Sequence, residues 1–142
     1  MNDTTITTTI KPIDHSIFAK PSTLARAAFA DFDGDGRIDA VVSSLGGATE
    51  LWQNTSPATQ HWIELKLVGA KSNRDGIGAR VRIGNQFAER STTAGYASSV
   101  DAPLHFGLGN ATVPRIEIRW LSGAVQTLSD VKADQVLTVT EK

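Results

Sequence analysis

The amino-acid sequence predicts an all-β chain: an antiparallel β-sandwich or small barrel over residues 61–142, preceded by a separate β unit over residues 24–56. Apolar and polar residues alternate with a period of two in several short stretches. Glycine-containing turn signals separate these stretches. No window of a dozen residues carries the apolar stripe of an amphipathic helix. Alternation of this kind is typical of antiparallel strands with one face on a core and the other in water.

The first 23 residues predict either a tail or an extra strand. Residues 4–10 are threonine and isoleucine, which are both β-branched and favour strands. The stretch also contains Pro12 and Pro21, and proline restricts a strand to an edge or a terminus. The residues leave both alternatives open.

Residues 24–56 predict a small β unit built on a hairpin. Residues 26–30 and 38–43 are two short β-type runs, and they flank an acidic loop. Gly46 and Gly47 predict a turn, after which residues 49–54 predict a third strand. The polar stretch 55–60 is interpreted as a linker, so we place a boundary between two units there.

The stretch 61–142 shows the most regular alternation in the chain. Strands are predicted at residues 61–68, 79–83, 115–120 and 135–140, with turns at 75–76, 84–85, 107–110 and 122–123. The residues predicted to face the core are Ile63, Leu65, Leu67, Val81, Ile83, Ile116, Ile118, Trp120, Leu137 and Val139. The alternate residues are predicted to face water.

The acidic loop at residues 31–39 has the pattern of a calcium site. Hard cations such as Ca²⁺ take six to eight oxygen ligands, which aspartates at alternating positions can supply. Four unneutralised carboxylates would open the loop, because two of them about 4 Å apart repel by roughly 4 kcal/mol at an effective dielectric constant near 20. The predicted ligands are the side chains of Asp31, Asp33, Asp35 and Asp39 together with the backbone carbonyl of Arg37.

This loop differs from an EF-hand. Position twelve is Val42, where an EF-hand needs a bidentate glutamate, and the flanking residues predict strands where helices are required. No histidine or glutamate lies beside the aspartates to activate a metal-bound water. We therefore predict a structural ion, and we expect no enzymatic activity.

Composition excludes several classes of partner and site. The net charge of −1 indicates neither nucleic acid nor an anionic membrane as a partner. The chain lacks cysteine, which excludes disulfides and thiolate metal sites. No stretch approaches the roughly 18 apolar residues of a membrane span, so we expect no membrane insertion. The N-terminus lacks the features of a signal peptide, and if the parent protein is exported we expect this chain to be a fragment or a mature form.

Two families are similar to parts of this sequence. Residues 27–42, AAFADFDGDGRIDAVV, resemble the FG-GAP/VCBS repeat, the calcium-loop blade of integrin-α-like propellers. Later motifs resemble the ASPIC/UnbV domain: HWIEL at 61–65, GAKSNRDGIGARV at 69–81, LHFGLG at 104–109, WLSG at 120–123 and ADQVLTV at 133–139. These resemblances imply calcium ligation by Asp31, Asp33, Asp35 and Asp39, an extracellular or cell-surface setting, and a role in adhesion or partner binding. They imply no catalytic residue.

The sequence contains a single copy of the calcium loop, whereas a propeller needs at least four blades. A lone blade exposes strand edges, which invite pairing with another chain. These edges are covered by the N-terminal segment, by the later β unit or by another copy of the chain, and the last alternative predicts a homo-oligomer formed through exposed strand edges. The partner, a protein or a glycan, is not identified by the residues.

Two other function classes are weighed against this prediction. In a carbohydrate-binding module, Trp62 or Tyr96 would contact sugars beside a basic strip. The residues proposed for that strip are Lys71, Arg74, Arg80, Arg82 and Arg90. In a hydrolase, a triad can be drawn from His105, Asp101 and either Ser98 or Ser99, although no nucleophile elbow accompanies it.

Overall fold

A computed structural model describes residues 9–12, 26–43, 48–95, 98–99, 103–110 and 115–142. These residues form strands and connecting loops without any helix, which confirms the prediction of an all-β fold. Accordingly, the described segments include no helix with the length and apolarity needed to cross a membrane. The chain divides into two compact units, Met1–Ala58 and Thr59–Lys142.

The strands of the first unit are β1 (Thr9–Pro12), β2 (Arg26–Ala30), β3 (Asp39–Ser43) and β4 (Glu50–Gln53). The strands of the second unit are β5 (His61–Val68), β6 (Arg80–Ile83), β7 (Gln86–Glu89), β8 (Thr93–Gly95), β9 (Ser98–Ser99), β10 (Leu104–Gly109), β11 (Ile116–Arg119), β12 (Val125–Leu128) and β13 (Gln135–Thr140).

The first unit is a four-stranded sheet with the order β1-β4-β3-β2. β3 pairs antiparallel with both β2 and β4, whereas β1 pairs in parallel with β4. One row across the sheet holds Phe29, Ala40 and Trp52. Ala40 and Trp52 are buried, whereas Phe29 on the outer strand β2 is 63% exposed. The apolar face of this unit thus extends to an exposed edge.

The second unit is a β-sandwich. One sheet has the order β10-β5-β13 and the other has the order β12-β11-β6-β7, while β8 and β9 form a small separate ribbon. Residues from β5, β6, β10, β11 and β13 form one apolar core. The described strands do not close into a barrel, so the sandwich alternative holds.

Burial confirms most of the predicted core of the second unit, because the alternate residues of β5, β6 and β11 are buried. Trp120 directly after β11 is also buried. In β5, however, Glu64 is only 8% exposed, although its phase points away from the core. Period-two alternation predicts on which side of the sheet a side chain lies. Whether that side is exposed to water depends on the residues that cover it.

Three features of the second unit differ from the prediction. The closing strand β13 pairs in parallel with β5, because alternation sets the face of a strand and carries no information about its direction. Residues 107–109, which resemble a turn, continue β10 through an irregularity in its register with β5. The strands β7, β10 and β12 were not predicted, because β7 and β12 have only four residues each and the glycines of β10 resemble a turn.

Candidate metal centre

The acidic loop connects β2 to β3 and closes around Asp31. Gly34 and Gly36 have φ angles of 78° and 85°, in the left-handed region that glycine adopts without steric cost. The backbone therefore turns at Gly34 and at Gly36, and successive N–H groups point toward the start of the loop. Asp31 Oδ1 accepts hydrogen bonds from Gly34 N at 2.8 Å and Asp35 N at 3.1 Å, and its Oδ2 accepts one from Gly36 N at 2.7 Å.

Asp39 anchors the other end of the loop. Its side chain is buried, with 2% exposure, at the first position of β3. Its Oδ2 accepts a hydrogen bond from Phe32 N at 3.1 Å, and its Oδ1 accepts one from Asn54 N at 2.7 Å. Asp39 therefore ties the start of the loop to the end of β4, as a buried carboxylate requires polar partners.

Asp33 lies on the exposed side of the loop. Its Oδ2 accepts a hydrogen bond from the Gln53 side-chain amide at 2.6 Å, and its Oδ1 accepts one from Asp35 N at 3.3 Å. The hydrogen bond from Gln53 is the main cause that lowers the pKa of Asp33 below its ordinary value. Asp33 is accordingly held in the ionised form that a cation ligand requires.

Three carboxylates converge at this loop. One oxygen from each of Asp31, Asp33 and Asp39 lies within 4.8 Å of the other two. Calcium–oxygen distances are about 2.3–2.6 Å, so two ligands of one ion stand up to about 5 Å apart. The three oxygens thus fit the coordination shell of a single Ca²⁺, in which further oxygens would complete the set.

Asp35 and Arg37 behave differently from the other predicted ligands. The carboxylate of Asp35 forms an ion pair with the Arg37 guanidinium and accepts a hydrogen bond from Arg37 N at 2.8 Å. Asp35 lies outside the group of converging carboxylates. Three of the four predicted aspartates therefore meet, and ligation by Asp35 and by the Arg37 carbonyl stays a prediction.

Two residues at this site were not predicted from the sequence. Gln53 and Asn54 reach it from the end of β4, where the Asn54 side chain also donates to the Ile38 carbonyl at 3.2 Å. The antiparallel register pairs Ala40 with Trp52, which places the next residues of β4 beside the loop. The two amide side chains directly after Trp52 were the sequence feature from which this contribution could have been predicted.

The second unit contains a different carboxylate centre at Glu141. Its Oε2 accepts hydrogen bonds from the backbone N–H groups of Ala70, Lys71 and Ser72 at 2.9, 2.8 and 2.7 Å. Its Oε1 accepts hydrogen bonds from the hydroxyls of Ser72, at 3.0 Å, and Ser122. These donors outweigh the opposing effect of burial and lower the pKa of Glu141 to about 2.

The residues of the carbohydrate prediction are only partly described. Trp62 stacks on His105, with ring centroids 6.1 Å apart and planes 6° from parallel. Next to it, His61 Nδ1 lies 2.7 Å from Asp134 Oδ2, and this hydrogen bond lowers the pKa of Asp134. Tyr96 lies outside the described residues.

The predicted triad is largely outside the described residues, and the residues of the predicted basic strip do not form one surface. In the triad, Asp101 and the side chains of Ser98 and Ser99 lie outside what the structure describes. The predicted basic strip is dispersed, because Arg90 is 7% exposed and donates to the Ser91 carbonyl at 2.9 Å. Arg74 lies in the 69–78 loop and pairs with Asp75. Of the residues in the predicted strip, Arg80 and Arg82 share an exposed strand face.

Comparison with known proteins defines the class of this chain. A model of the family described as ASPIC and UnbV matches residues 69–142, just over half of the chain. The chain therefore belongs to the ASPIC and UnbV family. It is also similar to cartilage acidic protein 1 of Xenopus tropicalis, with 26% identity over 110 residues. That similarity covers 72% of this chain and 17% of the relative, so the chain spans about a sixth of the length of the relative.

Proposed function

We propose that this protein is a non-enzymatic, calcium-binding β module of an exported protein, used for adhesion or protein recognition. The convergence of the Asp31, Asp33 and Asp39 carboxylates within 4.8 Å carries the calcium part of the proposal. An oxygen-only ligand set suits a hard cation, and the resemblance of residues 27–42 to FG-GAP/VCBS repeats supports the same ion. The similarity to a protein named for cartilage supports an extracellular or cell-surface setting.

The proposed ion has a structural role. Asp31 and Asp39 hold the backbone of the loop through N–H groups, so a cation between them would connect β2, β3 and the end of β4. The carboxylates of the loop outnumber the single guanidinium of Arg37, and a dication would neutralise the excess. Calcium binding would therefore stabilise the first unit.

Calcium titration followed by calorimetry tests this proposal. We expect a dissociation constant of about 10⁻⁵ to 10⁻³ M, which is typical of extracellular modules. At a calcium concentration of 100 times that constant, linkage adds about 2.7 kcal/mol to the free energy of unfolding, and the melting temperature rises by several degrees. A chelator reverses the rise.

The variant Asp33→Asn separates ligation from folding, because Asp33 is exposed and mainly bonded to a side chain. We expect it to weaken calcium binding by about tenfold or more, since it removes one charged ligand. Asp75→Asn removes the same charge from an exposed turn of the second unit and serves as the matched control. Absence of calcium heat in the wild type, or equal losses in both variants, would refute the proposed site.

A further inference from the structure

The outer face of the four-stranded sheet β12-β11-β6-β7 carries an excess of positive charge. Arg80, Arg82 and Arg119 lie on it together with Glu89 and Glu117, and Arg115, directly before β11, joins them through its hydrogen bond to Thr127. The chain as a whole has a net charge of −1. The positive charge is therefore a local property of this face, which makes it a candidate surface for an anionic ligand.

Arg80 and Arg119 stand directly opposite each other on β6 and β11. Like charges at such cross-strand positions repel, because their Cβ atoms are only about 5 Å apart. Each is paired with a glutamate, Arg80 with Glu89 at 2.9 Å and Arg119 with Glu117 at 3.0 Å. The arginine side chains remain 61% and 67% exposed, and exposed pairs of this kind contribute little to stability. An anion placed between the two guanidiniums would relieve their repulsion.

The other two arginines of this face interact with uncharged oxygens. Arg82 Nε donates to the Gly84 carbonyl at 3.1 Å, and an Arg115 guanidinium nitrogen donates to the Thr127 hydroxyl at 3.2 Å. Neither hydrogen bond supplies a negative charge, although Glu117, the partner of Arg119, stands opposite Arg82 across the two strands. With four arginines and two glutamates, the face has an excess of about two positive charges, which an anionic ligand would neutralise.

A cleft of about 370 Å³ opens beside the arginine pair. Arg80, Arg119 and Glu89, the partner of Arg80, line one part of it, and Leu121 and Val125 line another. Leu121 and Val125 are 66% and 56% exposed and together form a small aliphatic surface at the cleft. The cleft thus places aliphatic surface next to two guanidinium forks.

We propose that this face binds an acidic segment of a protein partner, with a carboxylate between Arg80 and Arg119 and a neighbouring aliphatic side chain on Leu121 and Val125. The inference rests on the recognition role proposed above and names the chemistry of the partner. Guanidinium forks match the geometry of carboxylates, and the aliphatic contacts match leucine, isoleucine or valine. A densely sulfated polysaccharide needs more cations than this face offers, and the one aromatic residue of the cleft, Trp120, is 3% exposed.

A peptide array tests the proposal directly. Short capped peptides, each with a different pair of adjacent residues in a glycine-serine frame, are probed with the fluorescently labelled chain. We expect enrichment of aspartate or glutamate beside leucine, isoleucine or valine, and weaker binding at high salt. Arrays without preference for acidic residues would overturn the proposal.

The best peptide is then titrated against matched variants by calorimetry. Arg80→Gln and Arg119→Gln should each weaken binding about tenfold, as expected for one charge-assisted hydrogen bond. Lys66→Gln removes one charge from the outer face of the other sheet and should change affinity less than about twofold. Equal losses in all three variants would indicate bulk attraction and overturn the assignment of the cleft. Circular dichroism melts confirm that each variant is folded.

Two further experiments distinguish a peptide ligand from a polysaccharide and the arginine cleft from the calcium site. If chondroitin sulfate binds more tightly than the peptide and with the same dependence on Arg80 and Arg119, the ligand is a polysaccharide and the peptide proposal fails. Each titration is repeated with a chelator, because the arginine face and the acidic loop belong to different units. Peptide binding without calcium heat would refute the calcium site alone, and the reverse result would refute only the arginine cleft.

Discussion

The two units of this protein use carboxylates in different ways. In the second unit, the single carboxylate of Glu141 accepts hydrogen bonds from three backbone N–H groups and two hydroxyls. In the first unit, three carboxylates converge on one another within 4.8 Å while also accepting N–H groups from the loop. The hydrogen bonds to Glu141 compensate a single negative charge, whereas the acidic loop brings several negative charges together.

This difference shows which kind of partner, a neutral donor or a positive charge, the carboxylates of each site need. Hydrogen bonds from neutral donors stabilise a single anion well, which is why the pKa of Glu141 falls to about 2. Such donors cannot remove the mutual repulsion of several anions, which only positive charge can do. We therefore interpret Glu141 as a complete structural centre, and the proposed calcium ion would supply the positive charge that the acidic loop lacks.

The largest effect in this comparison is expected for Glu141→Gln. Glutamine is uncharged and keeps only one acceptor oxygen, so the backbone N–H groups of residues 70–72 and the hydroxyls of Ser72 and Ser122 would lose a carboxylate that accepts at both oxygens. We expect the melting temperature of the second unit to fall by about 10 °C. Glu89→Gln, which alters an exposed ion pair, should lower it by less than about 2 °C. Similar losses in both variants would contradict the role assigned to Glu141.

A smaller effect is expected from acid. The pKa of Glu141 is lowered from 4.5 to about 2 in the folded chain, so its stabilisation is complete above pH 4.5 and disappears as the pH falls through about 2. Asp134, whose pKa is lowered by His61, acts in the same direction. Thermal melts from pH 5 to pH 2 should show falling stability in the wild type and a flatter profile in Glu141→Gln. Carboxyl-carbon NMR of Glu141 should show no titration above about pH 3.5, and titration near 4.5 would contradict the prediction.

The smallest effect is expected for Asp35→Asn, and it sharpens the description of the loop. The spacing of the aspartates in the loop predicts four aspartate ligands, whereas Asp35 forms an ion pair with Arg37 in the structure. If the arrangement in the structure holds, Asp35→Asn should weaken calcium binding less than about threefold, compared with tenfold or more for Asp33→Asn. Equal losses in the two variants would show that Asp35 leaves Arg37 and becomes a ligand when calcium binds.

Sequence patterns predicted the fold class and most of the core. Residues such as Val81 and Ile118 are fully buried as their alternation requires, and the acidic loop lies between two strands as its flanks indicate. Turn chemistry was less reliable, because Gly107 and Gly109 belong to a strand with an irregular register. Glycine permits both a turn and an irregular strand, so local sequence cannot choose between them.

By itself, the sequence determined which residues face the core, where the chain divides into β-rich stretches, and that an oxygen-rich loop follows β2. Each of these properties depends on residues close in the chain, where period and spacing are informative. Tertiary structure alone decided that β13 runs parallel to β5, that Glu141 meets a loop some 70 residues away, and that Arg80 stands opposite Arg119. Those contacts join distant residues, and the pairing of strands that creates them is an outcome of the whole packed sandwich.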